Sequence, residues 1–96
     1  MRVVFCSLLL ATALPMHAGA VTKLELCERD ATIHAAALDM FDAGAPQEDA
    51  VAALLEANPT ADPALVRAHV SRAYGANGNE RGEAARALYV EICTSF

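Results

Sequence analysis

No part of this chain alternates β-branched with polar residues over the length of a strand, which excludes a sheet as its organising element. Basic residues are scarce. Seven Lys and Arg stand against twelve Asp and Glu, for a formal charge of −5. An acidic surface repels phosphate backbones and anionic bilayers, so neither nucleic acid nor an anionic membrane is an expected partner. There is no C-x-x-C spacing to lower a thiol pKa for redox work, and no H-x-x-x-H to fix two metal ligands on one helix. Ser71 and Ser95 stand in no nucleophile motif, and Gly75, Gly78 and Gly82 lack the strand-then-helix setting of a phosphate loop. The carboxylates read as a solvated face, because acid–base chemistry needs a pair held in a cleft with split pKa values. The expectation is a non-enzyme with no catalytic residue and no cofactor.

A long apolar run is missing too, since a helix that spans a bilayer needs about 20 such residues. What precedes residue 21 reads as a secretory signal. Arg2 supplies its positive start, residues 3–14 its apolar stretch, and Ala18, Gly19 and Ala20 the small residues for cleavage before Val21. Pro15 and His17 argue against a retained anchor, and Glu25 sits where a lipoprotein signal before Cys27 would want a small residue. The expected organisation is therefore a signal peptide at 1–20, one domain at 21–96, and a periplasmic or secreted protein with no stable membrane anchor. Loss of Arg2 takes the formal charge to −6, and loss of Cys6 leaves Cys27 and Cys93 as an even pair.

What is abundant is alanine, and with it helical periodicity. Over residues 23–43, Leu24, Cys27, Ala31, His34, Leu38 and Phe41 recur at spacings of three and four. Leu26, Ile33, Ala37 and Met40 widen that stripe until it needs neighbours on two sides, which places this helix at the centre of the core. Gly44 should end it in the left-handed conformation. Pro46 then opens a second helix with Glu48 and Asp49 at its positive end and Val51, Leu54 and Leu55 on its apolar edge. That helix stops at Asn58 and Pro59. Asp62 and Pro63 suit the cap and first position of a third, whose stripe is Leu65, Val66, His69, Val70, Ala73 and Tyr74. Asn77 with Glu80 resembles a capping box for a fourth, which carries Ala85, Leu88, Tyr89, Ile92, Cys93 and Phe96 on one face. Tyr74 and Tyr89 read as core residues with hydroxyls reaching solvent. Short connections imply antiparallel neighbours, hence an all-α up-down four-helix bundle. In that topology Cys27 and Cys93 fall at the same end, where a disulfide would close the bundle.

Among the residues that could carry chemistry, Cys27 and Cys93 are expected to be a structural disulfide, with metal ligation dependent on the histidines. His34 and His69 each lie within an apolar stripe. Their three readings are packed imidazoles whose N–H groups find a carbonyl or carboxylate, a pH sensor, and a metal site with added carboxylates or thiolates.

Cys27, Gly44, Ala73-Tyr74 and Cys93 together resemble the pattern of small exported all-helical two-cysteine proteins of proteobacteria, a resemblance that covers nearly all of the chain from residue 21 and implies no activity. In plan alone the chain is similar to the periplasmic acid-stress chaperones. The leading expectation is a non-enzymatic periplasmic or secreted helical module that binds a protein or a small apolar ligand. The alternatives are an acid-responsive holdase and a metal-binding protein using His34 and His69.

Overall fold

The computed structural model describes residues 21–75 and 80–96. The expected signal peptide and Asn77 of the expected cap lie outside the described residues. Four helices follow in order, α1 (Lys23–Asp42), α2 (Gln47–Ala57), α3 (Pro63–Tyr74) and α4 (Gly82–Thr94), with no strand among the described residues. The fold is an all-α, up-down four-helix bundle, and Cys27 is bonded to Cys93 with their Cα atoms 5.8 Å apart.

Local chemistry sets the helix ends. Thr22 caps α1 reciprocally: its hydroxyl accepts from Glu25 N at 3.1 Å, and its own N–H donates to Glu25 Oε1 at 2.9 Å. At the other end Gly44 takes φ +82°, which lets Gly44 N reach Phe41 O and Ala45 N reach Met40 O, both at 3.0 Å. Asp62 caps α3 through Ala64 N at 2.9 Å, with Pro63 as the first helical residue. Two details correct the sequence reading. Pro46 is the N-cap of α2 and not its first helical residue. α4 begins only at Gly82, which adopts φ +57°, so Glu80 precedes the helix and cannot be the third residue of a capping box.

The core lies among the first three helices. Ile33, Ala37 and Leu38 of α1 meet Ala50, Val51 and Leu54 of α2, and Val66, Val70 and Ala73 of α3. Tyr74 locks the α1–α2 connection onto α3. Its hydroxyl donates to Ala45 O at 2.6 Å, while its ring meets Phe41 edge-on at 5.2 Å. α1 packs against all three other helices, as its wide apolar stripe requires.

α4 is attached differently. Only Ala85 of this helix joins the core. Along α1, Cys27, Ala31 and Ala35 form a buried row of small side chains, four residues apart, on which α4 can lie close. One end of α4 is held to α1 by the disulfide and by Lys23 Nζ, which donates to the Phe96 backbone oxygen. The other end is held by Arg81, whose guanidinium meets the Asp42 carboxylate at 2.5 and 3.3 Å. No Cα of α4 comes within 8 Å of one in α3. The bundle is therefore open along that side.

Candidate functional site

The open side is a cleft of about 530 Å3, within the range of ligand-binding cavities. α1 contributes His34 and Leu38 to it, and α4 contributes Ala85, Leu88, Tyr89 and Ile92. Phe96 stands at the disulfide end beside Cys93, while Glu80, Arg81 and, from α3, Arg72 bring polar groups to the cleft. Leu88, Ile92 and Phe96 are 44%, 50% and 90% exposed. Sequence periodicity put them on the inner face of the fourth helix. They do share a face, but no helix of the described chain covers it. Leu24 and Phe41, expected within the packed stripe of α1, are also half exposed near the two ends of that helix.

The structure brings both predicted histidines together behind the cleft. His34 of α1 and His69 of α3 have ring centroids 6.3 Å apart, and each lies 5.5 Å from the Tyr89 ring of α4. His69 is only 1% exposed, yet neither of its ring nitrogens has a hydrogen-bond partner; His34 Nδ1 is likewise buried and unpartnered. At His69 no carbonyl or carboxylate meets the ring, unlike the satisfied imidazole that the sequence suggests. Burial is the main reason that both histidines titrate below their ordinary value. Arg72 adds to this at His34. At His69 the Asp30 carboxylate works the other way, while Arg72, His34 and Arg29 lower it further. Both rings are therefore neutral at pH 7. Burial pushes the Tyr89 hydroxyl up, helped by Asp30 and opposed by the charge and hydrogen bond of Arg72.

Among the described residues, no group of three His, Cys, Asp or Glu side chains could hold a metal ion. His34 and His69 would need a third ligand brought in from elsewhere, and Cys27 and Cys93 are committed to each other. Arg72, which the sequence reading did not single out, is the cation of interest. It pairs with no carboxylate among the described residues, whereas Arg29, Arg67, Arg81 and Arg86 each do. No described helix is long and apolar enough to cross a membrane. Comparison with protein-family models, curated proteins and solved structures finds no match.

The depressed histidines make a pH prediction. Folded-state values below the ordinary 6.5 mean that the unfolded chain binds protons first as pH falls. Stability should be full well above pH 6.5 and decline as pH falls from about 6.5 down through the folded values. Melting temperatures measured between about pH 7.5 and 5 should show this slope. His69→Leu, which removes two buried unpaired nitrogens, should flatten it without loss of stability at pH 7.5. An equal slope in that variant would remove His69 from the account.

Proposed function

We propose that this chain is a non-enzymatic periplasmic or secreted module that takes a small apolar ligand in the cleft between α1, α3 and α4. The observation that supports it is the combination of Leu88, Ile92 and Phe96 left facing a concave, largely apolar space. A few polar groups also converge there, from Arg72, Tyr89 and His34. That composition, mostly apolar with a small number of placed polar groups, is what a small-molecule site needs for affinity and orientation together. The disulfide fits an oxidising compartment, where such small domains are commonly stapled.

The test uses N-phenylnaphthylamine, an uncharged probe that brightens in apolar surroundings. The oxidised protein should take it up with saturation at one site. Leu88→Asp places a carboxylate on the cleft wall at a position that contributes little to the core, so probe affinity should fall by about tenfold or more with little change in melting temperature. Uptake unchanged by Leu88→Asp, or no uptake by either protein, would refute the cleft as the site.

The acid-responsive holdase remains the second reading, and the buried, unpartnered His69 is the observation that favours it. It requires aggregation of a client protein to be suppressed at about pH 2–3 and not at pH 7, conditions that protonate both the imidazoles and the carboxylates.

A further inference from the structure

We infer that the ligand of this cleft is an amphiphile with one carboxylate head, held at Arg72 beside Tyr89 and His34, its chain running along Leu88, Ile92 and Phe96. The inference rests on the cleft being a ligand site, as proposed above, and specifies the chemistry it selects.

Three elements converge on the head-group position. Arg72 comes from α3, Tyr89 from α4 and His34 from α1. All three line the cleft, and the Tyr89 and His34 rings are 5.5 Å apart. A guanidinium is a planar fork that matches a carboxylate through two parallel hydrogen bonds, and a phenol supplies another donor. The other cation at the cleft, Arg81, is held by Asp42.

Charge narrows the head group. Asp30, whose charge also reaches Tyr89, is paired with Arg29, which leaves the one guanidinium without a carboxylate partner, Arg72, to balance one negative charge. A dianionic phosphate would leave excess charge close to Glu80, on a protein that is already strongly acidic. A cationic head would meet Arg72 in a partly desolvated site. A second copy of the chain is a poorer occupant, since pairing two α4 faces would bring together two molecules of the same net negative charge.

Shape fixes the tail. Glu80 and Arg81 stand at the start of α4, Tyr89 and His34 stand partway along it, and the apolar side chains of Ile92 and Phe96 continue from there to the end of the chain. From Leu88 to Phe96 a helical rise of about 1.5 Å per residue gives roughly 12 Å of apolar wall. Phe96, the most exposed large side chain of the described residues, stands where the end of such a chain would emerge.

Calorimetric titration of the oxidised protein with decanoate and with decanol tests this, alongside Arg72→Gln. Decanoate should bind about tenfold or more tightly than decanol, as a charge-assisted hydrogen-bonded pair implies. Arg72→Gln should abolish the preference and leave decanol affinity unchanged within about twofold. Equal affinities in the unmodified protein, or a preference that survives Arg72→Gln, would overturn the inference while leaving an apolar site in place. Tighter binding of decyl phosphate than of decanoate would overturn the choice of head group. A protein that binds none of these probes, including one that sediments as a dimer with its α4 faces closed, would overturn both the inference and the proposed function.

Discussion

Replacing Cys27 and Cys93 together by alanine should lower stability by about 4 kcal/mol and the melting temperature by roughly 15–30 °C. The bridge spans a sequence separation of 66, long enough for its removal to release substantial loop entropy to the unfolded chain. A domain of this size has roughly 4–11 kcal/mol of stability in total, so the expected loss is a large share of it. The damage should also be local. α4 supplies one residue to the core, Ala85, and is otherwise attached by contacts at its ends and along the small-residue row of α1. Amide hydrogen exchange should therefore accelerate first in α4, with α1, α2 and α3 retaining protection. Uniform acceleration across all four helices, or an unchanged melting temperature, would show that α4 is integrated more tightly than its burial indicates.

Ile33→Ala should cost about 2–5 kcal/mol, whereas Leu88→Ala should cost less than about 1 kcal/mol. Both are large aliphatic residues on apolar helix faces. Ile33 is 1% exposed at the junction of three helices, so truncation leaves a cavity as well as losing transfer energy. Leu88 is 44% exposed and borders the cleft, so its truncation opens no enclosed void. Urea midpoints of the two variants decide the matter, and similar costs would mean that the cleft is closed in solution.

That pair of residues also marks how far the sequence could be read. Periodicity told which residues of the fourth helix share a face, and the structure agrees. It could not tell whether another helix lies on that face, because the number of neighbours depends on how the helices are arranged in space. Helix ends were more legible where the chemistry is local: Gly44 in its left-handed turn and Asp62 at its cap stand as expected. The Thr22–Glu25 capping box is legible as a T-x-x-E pattern, whereas the similar pattern at Asn77 and Glu80 places the start of the fourth helix too early. His34 and His69 were found because a polar residue in an apolar stripe is conspicuous. Arg72 was not, since an arginine on the outer side of a helix is ordinary until a second helix stops short of it. Cys27 and Cys93 paired as expected because antiparallel topology and cysteine position constrain each other.

The two ends of α4 are fastened by bonds of different kinds. At one end the tie to α1 is covalent; at the other it is the exposed pair of Arg81 and Asp42, which dissolved salt weakens. Between these ties Ala85 sits in the core and the helix lies against the small-residue row of α1. Dissolved salt therefore acts on one end of the cleft wall and a reductant on the other. The same wall answers to its ionic and to its redox surroundings through separate attachments.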